Sequence, residues 1–384
     1  MSSEADDRHT VTVERVENRR DMRRFLLLPH RIYRNDPLWV PPLLPEVKRK
    51  LGPETGVFYR RGDAELFLAR RNGRPAGRIC LAEDRKTNAA RWRKDCVFGF
   101  FESAEDYAVA EALFDKAMAW AGRRNLDALF GPFNLDYEDS YGILVEGRDR
   151  PPALLCGHNP PYYAGFFDRF GFKPARPHNV AFALELADID SAVQRLGKLE
   201  ERARQSGRVR IEAADLDRWD EMVDRVLFLL NEVLATGPDS IPWHRDALED
   251  FLSPFRRIAD PELVLFAQVD GRTVGWFPGV PNLNEAFIHA NGLRYPWNYA
   301  SLACRLRRRT ECLAVKSVLV LRECWSTGVP ILLFFELGRR ARRKGYRWMD
   351  FSLTQADNPN TIALARRLGA RIYKRYQVYR RDLR

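Results

Sequence analysis

The stretch that most limits the possible folds is residues 317–379, where short apolar runs alternate with segments of helical periodicity. The pattern predicts a strand at 317–321, a turn that ends at Gly328, and a helix that begins at Val329 and Pro330. A second strand, a second helix and an aromatic strand follow at 348–353, 358–368 and 372–379. This alternation indicates an α/β fold with mixed central sheets flanked by helices.

The turn before the first of these helices has the properties of a phosphate-binding site. Backbone N–H groups at the start of a helix have no partner within it, and the helix dipole adds about half a positive charge there. A pyrophosphate fits such a position. Gly328 lets the backbone approach a ligand closely, and Pro330 in the first turn forgoes no needed hydrogen bond. Because strand–glycine–helix turns are common in α/β proteins, the turn alone does not identify a ligand.

The order of these elements, which ends in Arg-Leu-Gly-Ala-Arg-Ile-Tyr at 367–373, resembles the coenzyme A-binding half of the GNAT acyltransferase superfamily. The superfamily signature is Gln/Arg-x-x-Gly-x-Gly/Ala, and Trp325, Gly328 and Pro330 stand at its three fixed positions, so the middle one matches. The resemblance implies an acyl-coenzyme A site. Its expected residues are Val320, Leu321, Arg322, Trp325, Thr327, Gly328 and Asn358.

Further motifs along nearly the whole chain are similar to a bacterial branch of this superfamily that includes bacterial ceramide synthases. These motifs lie at 36–43, 131–134, 142–147, 158–163, 281–285 and 372–376. The resemblance implies N-acylation of an amine, with a sphingoid base as one candidate acceptor and an acyl thioester as donor. The donor is acyl-CoA or an acyl carrier protein; the sequence does not separate them.

The length of 384 residues suits two domains. Two hairpin turns, Asn72-Gly73 and Asp270-Gly271, and a late glycine junction in each half predict two tandem GNAT-like units, 1–187 and 188–384. A strand at 179–186 is expected to close the first unit, and 188–259 is expected to be a helical connector. In the first unit the corresponding turn has Glu102 and Glu105 and no glycine, so the second unit alone is expected to hold the cofactor.

The chain is basic, with a formal net charge of +11. Phosphates of coenzyme A, an anionic membrane surface and nucleic acid are the candidate partners, and an arginine-rich composition without functional meaning is the alternative. Nucleic acid has the least support, because the sequence has neither zinc-finger spacing nor an RNP motif. We expect no nucleic-acid partner.

The expected location and the expected absence of a metal rest on motifs that the sequence does not contain. No apolar run approaches the roughly 20 residues that span a bilayer, and the first residues are polar, so we expect a cytoplasmic protein. The apolar, proline-rich segment 38–45 either wraps a core or forms an exposed patch around Trp39 for peripheral contact with the inner membrane. The six cysteines form no CxxC pair and the histidines no HExxH motif, so we expect buried thiols and no metal.

An amine acyltransferase must deprotonate an ammonium, polarise the thioester carbonyl and protonate the leaving thiolate. The resemblance implies a backbone N–H near Val320 or Leu321 for the carbonyl and a tyrosine after the last helix for the thiolate. Tyr373 leads Tyr376 in that role because it follows the Gly-Ala junction most closely, although each could simply pack a terminal strand.

The acidic-aromatic loop at 134–142 is the first candidate for the general base. Asp139 or Glu138 could accept the ammonium proton, or the loop is a solvated turn. The resemblance places an acid at Asp139 and a second one beside it, where this chain has Ser140. Asn134 and Tyr162 lie in neighbouring motifs and are expected to bind substrate.

The second candidate lies at 281–292. His289 has a suitable intrinsic pKa for a base, but a lone histidine in an apolar run is more often a core residue. Asn282, Asn284 and Asn291 are expected to orient a polar head group. Three functions remain open on this evidence: an acyl-CoA-dependent N-acyltransferase, which leads, an N-acetyltransferase for a small amine or peptide, and a catalytically dead GNAT-fold binding protein.

Overall fold

A computed structural model of the chain describes residues 11–135, 139–205, 207–234 and 243–383. Its strands are, in chain order, β1 (Val11–Arg15), β2 (Gly62–Arg71), β3 (Arg74–Asp84), β4 (Asp95–Ser103), β5 (Ala128–Gly131), β6 (Ile143–Glu146), β7 (Lys173–Pro174), β8 (Asn179–Glu185), β9 (Val209–Ala213), β10 (Val264–Val269), β11 (Arg272–Pro281), β12 (Cys312–Val315), β13 (Leu319–Val320), β14 (Trp348–Gln355), β15 (Arg371–Gln377) and β16 (Tyr379–Asp382).

The helices carry the apolar faces that cover these strands. They are α1 (Arg19–Ile32), α2 (Leu44–Leu51), α3 (Arg85–Arg91), α4 (Tyr107–Arg123), α5 (Tyr162–Phe170), α6 (Ile189–Gln205), α7 (Trp219–Leu234), α8 (Arg245–Leu252), α9 (Asn284–Phe287), α10 (Pro296–Leu306), α11 (Val329–Arg343) and α12 (Pro359–Leu368). No helix among the described residues is long and apolar enough to cross a bilayer.

The strands of the described residues form two mixed sheets, as the sequence predicts. One has seven strands in the order β1-β2-β3-β4-β5-β16-β7. The other follows β6-β15-β8-β14-β12-β11-β10-β9, with β13 paired to β11 beside that path. Both predicted hairpins are present: Asn72, Gly73, Asp270 and Gly271 all have positive φ, as the tight turns between twisted strands require.

The two sheets exchange strands, which the sequence did not indicate. The strand expected to close the first unit, β8, lies instead in the second sheet between β15 and β14. The aromatic strand expected at 372–379 is two strands: β15 pairs in the second sheet, the chain changes direction at the buried Val378, and β16 pairs with β5 in the first sheet. The expected helical connector likewise contains β9, an edge strand of the second sheet. The predicted division at residue 187 stays a prediction, but the hydrogen-bonded sheets cross it.

Each sheet has its own buried core. In the first, α4 places Val109, Leu113, Phe114 and Trp120 against the strands, and the Asp106 side chain caps its start by accepting from the Ala108 N–H at 3.0 Å. In the second, the largest apolar cluster packs residues of α7 and α11 against β10 and β11.

Candidate active site

The candidate site lies where two neighbouring parallel strands separate. β12 and β14 pair from Cys312 opposite Trp348 to Val315 opposite Phe351. Beyond this point the chain bends at Ser317, whose φ is +51°, and continues as β13, which pairs with β11. The separation opens a cleft of about 1370 Å³ between the two strands. We call the point where the strands part the apex of the cleft.

The cleft is apolar along its walls and basic in its charged lining. Its apolar lining includes Leu230, Phe277, Leu319, Phe334, Phe351, Leu364 and Leu368. Basic side chains outnumber the acidic Asp246 and Asp357; they are Arg60, Arg61, Lys86, Arg91, Arg176, Arg245, Lys316 and Arg322. A cleft of this kind suits a ligand that combines a hydrocarbon or pantetheine arm with several phosphates.

The backbone of β13 offers a hydrogen-bond donor to the cleft. The Leu321 N–H points to β11, where it donates to the Val274 carbonyl at 2.9 Å. Because N–H groups alternate in direction along a strand, the Val320 N–H points the other way, towards the cleft. The indole N–H of Trp325 donates to the Val320 carbonyl at 3.2 Å and holds this short strand in place. Val320, Arg322 and Trp325 all line the cleft, whereas Leu321 is buried behind it.

The expected phosphate turn has a tighter form than the sequence indicates. Residues Arg322–Thr327 form a 3₁₀ helix, and Gly328 with φ +85° begins α11 without a side-chain cap from the described residues. The Thr327 hydroxyl donates within the turn, to the Cys324 carbonyl at 2.8 Å. Asn358 lines the cleft but also caps α12, accepting from the Thr361 N–H at 3.2 Å. The start of α11 therefore keeps its uncapped backbone character, which favours an anion.

A buried charged cluster occupies the apex. Lys316 and Ser352 follow directly on the last paired residues of β12 and β14. The Lys316 ammonium lies 3.1 Å from an Asp350 carboxylate oxygen and donates to the Ser352 hydroxyl, which in turn donates to the same Asp350 oxygen at 2.5 Å. Asp350 is fully buried, while the Lys316 side chain is 13% exposed on the cleft side. A charge buried to this degree needs a close partner, and the ion pair supplies it.

Two further side chains complete the apex cluster. The Cys156 sulfur lies 3.2 Å from the Ser352 hydroxyl and 3.5 Å from the Lys316 nitrogen, and the Tyr373 hydroxyl donates to the other Asp350 oxygen at 2.7 Å. Burial raises the pKa of the Cys156 thiol, so the group stays protonated. Burial and the Asp350 carboxylate raise the pKa of Tyr373 well above its usual value. Burial would lower the pKa of Lys316, but the Asp350 carboxylate outweighs it and raises that pKa.

The apex cluster is equipped for proton transfer and for charge stabilisation. The Lys316 ammonium stays charged at neutral pH and faces the cleft, so it can stabilise or protonate a developing anion there. The Asp350 carboxylate can accept a proton through the Ser352 hydroxyl, because the two groups share a short hydrogen bond. The Val320 N–H adds a neutral donor on the opposite wall.

Comparison with known proteins decides the family. No protein-family model matches the sequence. A bacterial ceramide synthase from Caulobacter vibrioides is 30% identical over 379 residues, which cover 97% of this chain and 98% of the relative. The chain belongs to the bacterial ceramide synthase family of GNAT proteins. It is therefore an N-acyltransferase, and the family implies an acyl-CoA donor and an amine acceptor.

Other similarities agree with this family and with the fold. Protein YghO from Escherichia coli is 25% identical over 373 residues, covering 95% of this chain and 94% of YghO. A tandem GNAT protein from the clavulanic acid biosynthesis pathway superposes with a TM-score of 0.57 at 14% identity, over 98% of this chain and 99% of that one. A GCN5-related N-acetyltransferase from Sphaerobacter thermophilus gives 0.53 at 14% identity, over 97% and 96%. The predicted tandem GNAT architecture is thereby confirmed.

The predicted catalytic residues are dispersed in the structure. Asp139 forms an ion pair with Lys50 at 2.5 Å, accepts from Ser140 and does not line the cleft; Glu138 lies outside the described residues. His289 is exposed on the surface, and partial burial with nearby Arg305 lowers its pKa. Tyr373 does belong to the apex cluster, but its hydroxyl donates to Asp350 rather than into the cleft. The assignment of an acid or base to these side chains stays a prediction.

The two substrate-binding residues predicted in the first half lie beside the first sheet, Asn134 in the loop after β5 and Tyr162 at the start of α5. The Asn134 side-chain oxygen accepts from the Phe100 N–H at 2.8 Å, and the Tyr162 hydroxyl donates to the Ser103 carbonyl at 2.9 Å. Neither lines the cleft as far as the structure describes it. Both side chains hold the backbone of β4.

Of the three asparagines predicted in the second half, Asn282 and Asn284 contact backbone. Asn282 accepts from the Leu154 N–H at 2.9 Å, and Asn284 donates to the Pro152 and Ala153 carbonyls, each at 3.0 Å. Asn291, with positive φ, starts a short 3₁₀ segment before α10. The first two asparagines therefore act on the cleft indirectly, because they fix the segment that delivers Leu155 and Cys156 to its wall.

Sequence reasoning missed Lys316, Asp350, Ser352 and Cys156. The signal for Lys316 and Asp350 is a single charged residue in a mostly apolar stretch, at 313–321 and at 348–353. Charged residues are rarely buried in a strand unless they are paired. Two such residues on neighbouring strands of one sheet would have identified the pair.

Proposed function

We propose that this enzyme transfers a fatty acyl group from coenzyme A to the primary amine of a long-chain lipid, with a sphingoid base as the leading acceptor. The observation that carries the proposal is the apex cluster of Lys316, Ser352 and Asp350 at the inner end of a large apolar cleft. The cluster supplies the acid–base groups, and the walls supply the surface for hydrocarbon.

The donor is proposed to enter along β13. Its pantetheine arm would lie between β13 and β14, because β13 has a strand partner on its β11 side and its other edge faces the cleft. The Val320 N–H would then donate to the thioester carbonyl. The phosphates would lie near the start of α11 and Arg322, where the uncapped helix and the basic lining favour anions. Trp325 and Asn358 border this path.

The chemistry is a direct transfer in which the protons balance. The acceptor ammonium gives one proton through the Ser352 hydroxyl to Asp350, and the freed amine attacks the thioester carbon. The tetrahedral intermediate, whose oxyanion accepts from Val320, then collapses with cleavage of the carbon–sulfur bond. The leaving thiolate takes a proton from Lys316, and the nitrogen loses its second proton to restore Lys316. Asp350 releases its proton to solvent, so each turnover yields one amide, one free thiol and one proton.

The apolar walls support a long-chain substrate. Phe277, Phe334 and Phe351 face the cleft together with Leu364 and Leu368, and side chains of this type bind hydrocarbon by excluding water. A short acetyl group and a small polar amine would leave this surface in contact with water. The ceramide synthase name of the Caulobacter relative supports the same acceptor class.

The test is an acylation assay on the purified full chain with palmitoyl-CoA and sphinganine. The released thiol is measured with a colorimetric thiol reagent, and the N-acyl product is measured by mass spectrometry. We expect a stoichiometric amide product, and a lower kcat by at least tenfold in Ser352→Ala. Product from acetyl-CoA and small amines alone would contradict the lipid acceptor.

Calorimetric titration with coenzyme A separates the remaining outcomes. Binding without turnover of any amine would support a catalytically dead binding protein. Absence of binding together with turnover of acylated carrier protein would replace the donor. Either result would overturn the corresponding half of the proposal.

A further inference from the structure

Large apolar side chains are exposed together on one helix of the second half. Tyr295, just before α10, is 36% exposed, and Trp297 and Tyr299 on its first turns are 66% and 52% exposed. Leu306 at its end is 45% exposed. Soluble surfaces carry single exposed apolar residues, but a cluster of aromatic ones on one element marks an interaction surface.

The exposed side chains are held in place by a well-ordered helix. Asn298 and Leu302 are buried beneath them, and the Asn298 side-chain oxygen accepts from the Tyr295 N–H at 3.0 Å. The Tyr295 and Trp297 rings are stacked, with centroids 4.7 Å apart and planes 8° apart. The Tyr295 and Trp297 rings therefore form a preformed platform at the start of α10.

The same segment is strongly basic. Arg294, Arg305, Arg307, Arg308 and Arg309 lie within 294–309, which contains no acidic residue. The Arg294 guanidinium lies over the Tyr295 ring at 5.2 Å. We call the exposed surface of Tyr295, Trp297, Tyr299 and Leu306 with these arginines the α10 face.

The neighbouring carboxylates do not neutralise this charge. Glu285 accepts from the backbone N–H groups of Glu311 and Cys312, at 2.7 and 2.9 Å. Glu311 forms an ion pair with Arg347 at 2.9 Å. Among the residues that the structure describes, the α10 face thus combines an aromatic platform with positive charge that these two carboxylates do not pair.

We propose that the α10 face binds an anionic membrane surface. Tryptophan and tyrosine prefer the headgroup level of a bilayer, where one side of the ring is apolar and the other is hydrated. Arginines beside them attract anionic lipid headgroups, and the attraction adds for each residue. An amphipathic helix of this composition lies in the plane of the interface rather than across it.

The segment that the sequence suggested for membrane contact is only partly exposed. Trp39 is only partly exposed, because its ring stacks on Tyr33 with centroids 4.8 Å apart and planes 4° apart. The apolar residues at 38–40 are likewise partly buried. The α10 face is an independent surface, and membrane binding through it does not depend on the proposed acceptor.

Binding to lipid vesicles tests the proposal directly. The full chain is sedimented with vesicles of phosphatidylethanolamine and phosphatidylglycerol, or of phosphatidylcholine alone. We expect binding to the anionic vesicles that weakens with salt, and at least tenfold weaker binding for the double variant Trp297→Ser/Tyr299→Ser. Trp92→Ser is the matched control, because Trp92 is 96% exposed elsewhere on the molecule and its loss is expected to change binding less than twofold.

Charge and aromatic contributions are separated by a second pair of variants. Arg307→Gln/Arg308→Gln is expected to weaken anionic binding roughly fivefold per arginine. Arg366→Gln/Arg367→Gln on α12 removes the same net charge and is expected to have a smaller effect. Equal losses from the two pairs would show that net charge rather than the α10 face determines binding, and would overturn the proposal.

Cys304 offers a direct report of contact. It lies on α10 and is exposed, whereas the other cysteines of the described chain are buried. An environment-sensitive fluorophore on Cys304 is expected to shift to the blue with anionic vesicles, while the same label in Trp92→Cys/Cys304→Ser is expected not to shift. No shift at Cys304 on vesicles that bind the protein would place the contact elsewhere.

Discussion

In each half of the molecule two neighbouring strands pair in parallel, and we call the end of that pairing a fork. The chain closes the fork of the first half and leaves the fork of the second half open. In the first sheet β4 and β5 pair in parallel from Asp95 opposite Ala128 to Val97 opposite Phe130, as β12 and β14 do in the second. After β5, however, the chain stays against β4: Phe133 donates to the Phe98 carbonyl at 3.0 Å. In the second sheet it is the chain after β12 that leaves, bending at Ser317 into β13, and the cleft occupies the gap between β13 and β14.

The closed fork depends on a close backbone approach. A Cβ atom on Gly99 would lie only 1.9 Å from the Phe133 carbonyl oxygen, so this contact requires glycine. The Asn134 side chain then satisfies the Phe100 N–H, which would otherwise face the gap. A ligand would have to displace all of these contacts to enter the first fork.

The helices that follow the two forks differ in the same sense. Asp106 caps α4 and forms an ion pair with Arg71 at 3.2 Å, so a carboxylate already occupies the anion position. Gly328 begins α11 and leaves that position open. The shared fold therefore does not give both halves an open cleft. The chain leaves the paired strands differently in each half.

The largest effect is expected when the positive charge of Lys316 is removed from the apex of the cleft. Lys316→Met should lower kcat by roughly 10²–10⁴-fold, the usual range for loss of a general acid–base group. Because an unpaired Asp350 carboxylate would destabilise the fold by about 3–5 kcal/mol, kcat is expressed per folded molecule, with the folded fraction taken from urea denaturation. Glu102→Gln in the closed fork is the control, and its kcat per folded molecule should be unchanged. A similar loss of kcat in the control would erase the distinction between the forks.

A smaller effect is expected when a carboxylate, like the one that caps α4 in the first half, is placed at the start of α11. Gly328→Asp places a carboxylate where Asp106 lies in the first half, and should raise the KM for acyl-CoA about tenfold with kcat unchanged. Gly328→Asn carries the same conformational strain without the charge, and should change the KM far less. Equal effects of the two variants on initial rates would indicate strain rather than phosphate repulsion.

A substitution in the closed fork is expected to lower the free energy of unfolding and to leave the activity unchanged. Asn134→Leu leaves the Phe100 N–H without its acceptor and should lower the free energy of unfolding by about 1–3 kcal/mol, measured by urea denaturation. The KM for the amine should not change. A raised KM with unchanged stability would instead support Asn134 as the substrate ligand that the sequence suggested.

The smallest effect is expected in the pH dependence of stability. It distinguishes the buried Lys374 of the second half from the buried Arg78 of the first. Burial lowers the pKa of Lys374 from 10.5 to about 8. Between about pH 8 and 10 the unfolded chain binds this proton and the folded chain does not, so this group makes the free energy of unfolding rise with pH, by up to about 1.4 kcal/mol per unit. Lys374→Met should remove that rise. Arg78, buried beside Glu102, keeps its charge over this range and should contribute no such slope.

Local sequence patterns were sufficient for most elements and for the location of the cleft. The helix at α5, the hairpin glycines and the strand–turn–helix at 317–343 depend on periodicity and turn chemistry, which a single sequence contains. Val320, Arg322, Trp325 and Asn358, which the family resemblance implied for the cofactor, line the cleft, and their role in binding it stays a prediction. Strand exchange was missed because periodicity says nothing about which sheet a strand joins. The apex cluster was missed because it assembles residues from β12, β14, β15 and the loop containing Cys156.

The exchange of strands between the sheets also sets the order in which the molecule can be completed during synthesis. β5 (Ala128–Gly131) needs β16 (Tyr379–Asp382) as its hydrogen-bonded neighbour, and most of the chain lies between these two strands. Until β16 leaves the ribosome, one edge of the first sheet stays unpaired and exposed to pairing with other nascent chains. The first half therefore cannot mature ahead of the second, and separating the two halves genetically would remove strands from both sheets.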